Sequence, residues 1–125
     1  VNVVSPAAFF GKPGAANYAA AKGALVAFTK SLAAEAGRYG ITVNALCPGP
    51  VSTPLLDELF ATDPAKAARR LVHLPMGRFA QAVEIANAAL FLASDESSYV
   101  TASTFLVDGG LSVGLYKSTL QNGNV

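Results

Sequence analysis

Tyr18 and Lys22 are the two side chains whose types and spacing best suit acid–base chemistry. Residues four apart in a helix lie on one face, so the phenol and the ammonium come within reach of each other. A phenol has a reference pKa of about 10, and a nearby ammonium favours the phenolate, so such a pair can move a proton near neutral pH. Taken alone, the pair is more simply explained as a helical tyrosine beside an exposed lysine.

Ser5 adds a hydroxyl 13 residues before Tyr18. It follows the apolar, β-branched run Val1–Val4, which predicts a buried strand. Parallel sheets bind their ligands beyond the carboxyl ends of the strands, where a serine hydroxyl can donate to a substrate carbonyl oxygen. The alternative is a serine that only caps the turn before Pro6, and both interpretations stay open.

The segment Asn44–Thr53 follows a second predicted strand end. Its Pro48, Gly49 and Pro50 let the backbone turn tightly and bring amide groups close to a planar ligand. Thr53 adds a hydroxyl to the same segment. An ordinary loop after a strand is the alternative explanation.

Alternating strand and helix patterns predict the scaffold that positions these residues. Proline and glycine predict a loop over residues 6–15. An Ala- and Leu-rich run predicts a helix over Ala16–Ala36. This helix is apolar on most of its circumference, which predicts that other protein segments pack against it on two sides. The alternation as a whole is typical of an α/β fold with a parallel sheet. The other predicted elements are strands over Ile41–Leu46 and Phe105–Val107, a helical turn or two within Leu55–Phe60, a helix that starts at Asp63-Pro64 and ends at Pro75, and a helix over Ala82–Ala93.

Composition and charge exclude several classes of protein. Of 125 residues, 52% are hydrophobic and 14% charged, which is too apolar for disorder and favours surfaces covered by further chain or partner subunits. A net charge of +1 without a basic stretch argues against nucleic acid, and no apolar run approaches the roughly 20 residues that span a bilayer. One cysteine, Cys47, and one histidine, His73, cannot form a disulfide or anchor a metal site. With no signal-peptide pattern, we expect a cytoplasmic location.

The residues around the pair resemble a known family. Asn17-Tyr18-Ala19-Ala20-Ala21-Lys22 resembles the Tyr-x-x-x-Lys motif of the short-chain dehydrogenase/reductase family, with Ser5 at that family's usual spacing. Val43–Thr53 resembles the segment that holds the nicotinamide, and four later blocks resemble C-terminal signatures in the correct order. The likeness runs from Val1 to about Gly114. The four blocks are Gly77-Arg78-Phe79, Ala93-Ser94-Asp95, Tyr99-Val100-Thr101 and Val107-Asp108-Gly109-Gly110.

The resemblance implies a fold and a set of roles. The fold would be the C-terminal part of a Rossmann-like, doubly wound parallel sheet of about three strands with crossover helices. Residues 1–116 would belong to one domain, and residues 117–125 would form a flexible tail. Tyr18 would give or take the proton at the substrate oxygen, Lys22 would assist it and bind the nicotinamide ribose, and Ser5 would orient the substrate. Nicotinamide contacts would come from Tyr18, Lys22, Pro48, Gly49, Val51 and Thr53, with Asn44 and Asp108 structural.

The implied activity is the transfer of a hydride between NAD or NADP and a secondary alcohol or ketone, in a homodimer or homotetramer. The family's glycine-rich turn, the helix start that receives the pyrophosphate and the residue that selects NAD or NADP have no counterpart in these residues. We therefore expect the parent protein to be the enzyme and the chain by itself to be inactive. Two alternatives remain open, a non-catalytic chain that acts as an assembly partner and an incomplete gene product.

The chain departs from the family pattern at two places. Ala102 stands where the family usually has Gly, and it is strained if that position has a positive φ. Gln81-Ala82-Val83 replaces a commoner Pro-Glu helix start, which predicts a weaker helix N-terminus.

The strand Val1–Val4 would have a bare apolar edge, so we expect the chain alone to aggregate or pack loosely. The segment Leu55–Pro75 is either an apolar lid over the substrate or the buried side of its helices.

Overall fold

A computed structural model describes residues 1–113 of the protein, an α/β structure made of two compact units. The first unit comprises residues 1–48 and 85–107. The second comprises residues 49–84 with the described residues from 108 onward. No helix within the described part is both long enough and apolar enough to cross a membrane. The predicted tail, residues 117–125, lies outside the described residues, and the assignment of residues 1–116 to one domain stays a prediction.

Stretches of strand and stretches of helix alternate along the chain, although some stretches contain two elements of the same kind. The helix over Ala16–Ala36 has the predicted bounds, and the α/β class with a parallel sheet is confirmed. In chain order the elements are β1 (Asn2–Val3), α1 (Ala7–Phe10), α2 (Ala16–Ala36), β2 (Ala45–Pro48), β3 (Val51–Ser52), α3 (Pro54–Thr62), α4 (Pro64–Leu71), β4 (Ala80–Gln81), α5 (Ala82–Leu92) and β5 (Thr104–Val107).

The first unit is built on a three-stranded parallel sheet in the order β1-β2-β5. β2 is its central strand, and Ala45 and Cys47 on that strand are fully buried. Val4, just after β1, packs with them, and Leu25 and Val26 of α2 cover this cluster. Helix α2 therefore lies against the sheet through its middle turns.

Helix α2 forms because its sequence is rich in alanine and leucine and contains no proline. It ends at Ala36, followed by a 3-10 turn and by Gly40 in the left-handed conformation that commonly closes helices. Its buried residues are Thr29, Ala33 and Ala36, whereas Phe28 is 53% exposed. Within the described residues, one face of α2 therefore packs against the rest of the first unit. The sequence predicts packing on a second face as well, and no described residue covers that face.

The second unit contains the short parallel pair β3-β4, which the sequence pattern did not predict, together with α3 and α4. Each of these helices starts with a side-chain cap followed by proline, and the start predicted at Asp63-Pro64 is confirmed by the Asp63 carboxylate that accepts from Lys66 N at 3.0 Å. Of the apolar residues in this segment, Phe60 is buried and Leu55 is 81% exposed, so the buried-side explanation holds for only part of the segment and the lid stays a prediction.

Three local predictions for the first unit are wrong. The predicted loop 6–15 contains α1. Pro6 allows this helix to start, because its φ of −53° is already helical and because the N–H groups of a first helical turn have no partner within the helix, so the N–H that proline lacks is not missed. Val1 and Val3 are each 52% exposed rather than buried, since β1 is an edge strand in the described sheet. The second strand runs through Pro48 rather than ending at residue 46, which is possible because β1 pairs only as far as Leu46.

Ala102 is the one non-glycine residue among residues 1–113 that has a positive φ, at 58°. Its N–H donates to Val43 O at 2.8 Å, so the turn before β5 is tied to the chain before β2. The predicted strain at this position is confirmed, because the left-handed region costs a residue with a Cβ more than it costs glycine.

We expect Ala102→Gly to raise the free energy of unfolding by about 0.5–1 kcal/mol, since relief of the left-handed strain exceeds the extra flexibility that glycine adds to the unfolded chain. Urea unfolding followed by circular dichroism measures the change. Ala27→Gly, on the exposed face of α2, is the matched control and should instead lower stability by about 1 kcal/mol. A lower stability for both variants would contradict the strain at Ala102.

The start of α5 has a cap that replaces the missing Pro-Glu pattern. The Glu84 carboxylate accepts from Gln81 N at 2.7 Å, which satisfies a backbone donor at the helix N-terminus. Arg78 donates through both terminal nitrogens to the same carboxylate, at 2.8 and 2.7 Å. The hydrogen bonds from Arg78 and from the Gln81 backbone lower the pKa of Glu84 from 4.5 to about 2.

We expect this carboxylate to make stability depend on acid. A lowered folded pKa means that the contribution is present above pH 4.5 and is lost as the pH falls toward about 2. Glu84→Gln should therefore be less stable than the wild type at neutral pH, by an amount that shrinks to nothing near pH 2. The pair is half exposed, so the effect is small and is measured as the difference between the two urea midpoints across pH. A difference that does not change with pH would refute it.

Candidate active site

Tyr18 and Lys22 lie one turn apart on α2, as their spacing predicts. The Lys22 Nζ is 5.9 Å from the centroid of the Tyr18 ring, and Tyr18 is 43% exposed. The phenol is therefore accessible from solvent, and its ring lies beside a fixed positive charge. This arrangement meets the geometric need of an acid–base pair, which is a proton-carrying oxygen within reach of a ligand and close to a cation.

Lys22 is held by the strand that leads to Ser5. Its Nζ donates to Val3 O at 2.9 Å. The neighbouring N–H groups of Asn2 and Val4 donate to β2, so by alternation the polar groups of Val3 point away from β2. The ammonium thus covers an edge carbonyl of the sheet and retains two further N–H donors.

Ser5 is half-buried at the end of β1, and its Oγ accepts from Ala7 N at 3.3 Å. The serine therefore caps the first turn after the strand, as the simpler of the two interpretations predicts. A hydroxyl that accepts through its oxygen still has its own proton to donate. The cap and a role as donor to a substrate oxygen are therefore compatible, and the cap orients the hydroxyl.

A buried polar contact that sequence reasoning missed holds α2 in place. Asn2 Nδ2 donates to Thr29 Oγ1 at 3.0 Å, and Thr29 Oγ1 donates to Leu25 O at 2.7 Å. Thr29 is 1% exposed. The only signal in the sequence is a threonine within an Ala- and Leu-rich helix. A threonine inside a helix commonly satisfies its hydroxyl by donating to the backbone carbonyl four residues earlier. Together with Lys22, this contact ties α2 to β1 at two points along the helix.

The segment Gly49–Thr53 belongs to the second unit. A Cβ at Gly49 would approach the Asp108 Cα to 2.7 Å, so glycine is required here by a backbone neighbour. Thr53 Oγ1 accepts from Leu56 N at 3.3 Å as the cap of α3, which leaves its proton free to donate. Since Ala80 N donates to Pro50 O, the backbone groups of Val51 point away from β4.

Asn44 is structural, as expected. It is 1% exposed, its Nδ2 donates to Val100 O at 2.7 Å, and its Oδ1 accepts from Ser103 N at 3.1 Å. These bonds join the start of β2 to the start of β5.

Asp108 is also structural. Its two oxygens accept from Gly110 N and Ser112 N, both at 2.9 Å, which shapes the turn after β5. Within residues 1–113 there is no group of three His, Cys, Asp or Glu residues able to hold a metal.

The sequence matches a protein family model over residues 1–112, described as Enoyl-(Acyl carrier protein) reductase. This match covers all the described elements and both members of the Tyr18–Lys22 pair. The chain belongs to the short-chain dehydrogenase/reductase family. Membership of this family accounts for the parallel sheet and for the order of the sequence blocks.

Individual relatives and structures agree with this family. The chain is 46% identical over 112 residues to the 3-oxoacyl-(acyl-carrier-protein) reductase of Thermotoga maritima, covering 89% of this chain and 44% of that protein. It is 46% identical over 114 residues to the inactive 2-(S)-hydroxypropyl-CoM dehydrogenase 2 of Xanthobacter autotrophicus, covering 89% and 50%. A candidate 2-deoxy-d-gluconate 3-dehydrogenase from Agrobacterium tumefaciens, solved with bound NADP, has a TM-score of 0.84 and 37% identity, covering 90% and 45%. The chain thus spans about half the length of these proteins, or less.

The Asn2–Thr29 hydrogen bond, which attaches α2 to β1, leads to a prediction about stability. We expect Thr29→Val to lower the free energy of unfolding by about 1–3 kcal/mol, because it keeps the side-chain shape but removes the acceptor for the Asn2 amide. Thr29→Ser keeps the hydroxyl, so its loss should be smaller. Denaturant unfolding of both variants checks this, and a larger loss for Thr29→Ser would show that the methyl group and not the hydrogen bond matters.

Proposed function

We propose that the chain contributes the acid–base group of an NAD(P)-dependent oxidoreductase that transfers a hydride between nicotinamide and a secondary alcohol or ketone. Tyr18, Lys22 and Ser5 are the proposed catalytic residues. The observation that carries the proposal is the exposed Tyr18 ring beside the Lys22 ammonium, on a helix face that Lys22 ties to β1 through Val3 O, two residues before Ser5. Support comes from the family and from the NADP found in the Agrobacterium structure.

The donors present in the chain fit a nicotinamide nucleotide. Lys22 has two N–H groups beyond the one given to Val3 O, which suits the two hydroxyls of a ribose. Val51 has backbone groups that β4 does not use, and Thr53 has a free hydroxyl proton, which suits a carboxamide. Pro48 and Gly49 lead the chain into this segment. When bound, the nicotinamide supplies or accepts the hydride.

The protein's own part in the reaction is to bind the substrate oxygen and to move a proton. In reduction, the Tyr18 hydroxyl donates its proton to the oxygen of the ketone as that oxygen gains negative charge. The Ser5 hydroxyl, oriented by Ala7 N, donates a second hydrogen bond to the same oxygen. The Lys22 ammonium lies close enough to the Tyr18 ring to stabilise the phenolate that remains. In oxidation the phenolate takes the proton back from the alcohol.

A second role is favoured by the exposed face of α2. Phe28 is 53% exposed on the side of α2 that the described residues do not cover. We propose that this face binds a second copy of the protein, so that the enzyme is a homo-oligomer. The alternative function is an assembly role without turnover, and it is supported by a relative that is 46% identical and named as inactive.

Tyr18→Phe tests the catalytic proposal. In the natural polypeptide that contains this chain, we expect NADPH-dependent ketone reduction to fall by about 10²–10⁴-fold, because the ring stays and only the proton donor is removed. Calorimetry should show cofactor affinity within a few-fold of the wild type.

Tyr39→Phe is the matched control, since Tyr39 is an exposed tyrosine after the far end of α2. It should leave both the turnover and the affinity unchanged. Turnover that survives Tyr18→Phe at the wild-type rate would remove Tyr18 from the mechanism. Cofactor binding without any turnover in the wild type would favour the assembly role.

A further inference from the structure

A second lysine lies beside Tyr18. The Lys12 Nζ is 5.9 Å from the centroid of the Tyr18 ring, the same distance as the Lys22 Nζ. Lys12 comes from the loop between α1 and α2, so its ammonium approaches the phenol from outside the helix that carries Lys22. The two cations differ in their partners, because the Lys22 ammonium donates to Val3 O whereas the Lys12 ammonium has no hydrogen-bond or ion-pair partner within residues 1–113.

Within the first unit, the charged side chains near Tyr18 are lysines and not carboxylates. The first 34 residues contain three lysines and no aspartate or glutamate, and Glu35 is the first carboxylate in the chain. Glu35 lies 17 residues beyond Tyr18 on α2, which is about 25 Å along the helix axis. The other carboxylates of the first unit, Asp95 and Glu96, precede β5 and so lie where the strands of the sheet begin. Ser5 follows the end of a strand, at the opposite edge of that sheet.

We propose that Lys12 binds an acidic group on the substrate and selects short oxo acids or hydroxy acids over neutral ketones and alcohols. This inference rests on the proposed function, since it assigns the substrate class of the same site. An exposed ammonium with no protein anion attracts a small anion, and one beside the Tyr18 ring holds that anion near the oxygen that Tyr18 protonates. The acidic group must therefore be separated from the reacting carbon by only a few bonds.

A purely structural role for Lys12 gives different results. An exposed cation–π contact contributes to the stability of the loop but is indifferent to the charge of a ligand. If Lys12 binds the substrate, its replacement changes how strongly the protein prefers a charged ketone over the neutral ester of that ketone. The decisive measurement is therefore this preference, and acetoacetate and its neutral methyl ester are the matched pair of probes.

Binding is tested first without turnover, on the natural polypeptide that contains this chain, labelled with ¹³C in its tyrosine rings, with Tyr18→Phe used to assign the Tyr18 resonances. We expect acetoacetate to shift the Tyr18 resonances in the wild type, and the affinity to fall about tenfold in Lys12→Gln, because one charge-assisted hydrogen bond is lost. Methyl acetoacetate should bind equally to both. Lys30→Gln, an exposed lysine three turns further along α2, is the control and should bind acetoacetate like the wild type.

Three results would overturn the proposal. Acetoacetate affinity that is unchanged in Lys12→Gln removes Lys12 from the site, and the absence of any shift in the wild type removes the site. Inorganic phosphate and NADP⁺ are titrated as alternative anions. If they alone give shifts that depend on Lys12, the lysine binds a phosphate of the cofactor and the substrate proposal is wrong.

Kinetics on the natural polypeptide complete the test. The ratio of kcat/KM for acetoacetate to that for methyl acetoacetate should fall about tenfold in Lys12→Gln and stay constant in Lys30→Gln. An unchanged ratio would overturn the role of Lys12. If no protein reduces either ketone, the proposed function fails, while the titrations still decide separately whether Lys12 binds the acid.

Discussion

The attachment of α2 to β1 is the interaction on which the rest of the candidate site depends. A buried hydrogen bond joins Asn2 to Thr29, and nearer the helix start the Lys22 ammonium donates to Val3 O. Two points of attachment fix both the position and the rotation of a helix, so they determine which residues of α2 face the strand end. Tyr18 is carried to the end of β1 by this geometry, because it shares a helix face with Lys22.

The chain before and after the strands is held by polar side chains with a structural role. Asn44 joins the start of β2 to the start of β5, and Asp108 shapes the turn after β5 by accepting from two backbone donors. Gly49 is required because the Asp108 backbone leaves no room for a Cβ. Backbone carbonyl and amide groups that are buried cost free energy unless they are paired, so these side chains stabilise the irregular chain around them. Asn44 and Gly49 lie in the segment that resembles a cofactor-binding segment, and each is thus also needed for the local structure.

Charge separates the two edges of the sheet in the first unit. Lys12 and Lys22 lie near the ends of the strands. The unit's three carboxylates lie near the starts of the strands, where Arg38 offsets only one of them. Such a separation attracts anions to one edge, which suits both a nucleotide and an acidic substrate. It also places two lysine ammonium groups near Tyr18 within the first unit.

The sequence by itself determined the α/β class, the bounds of α2, the start at Asp63-Pro64 and the pairing of Tyr18 with Lys22. These follow from local preferences, because helix propensity, caps and i,i+4 spacing act within a few residues. Only the tertiary structure decided that β2 runs through Pro48, that Thr29 meets Asn2 and that Lys12 reaches Tyr18. The first two depend on which distant segment lies alongside, and the third depends on the path of the loop between α1 and α2. No local sequence pattern contains that information.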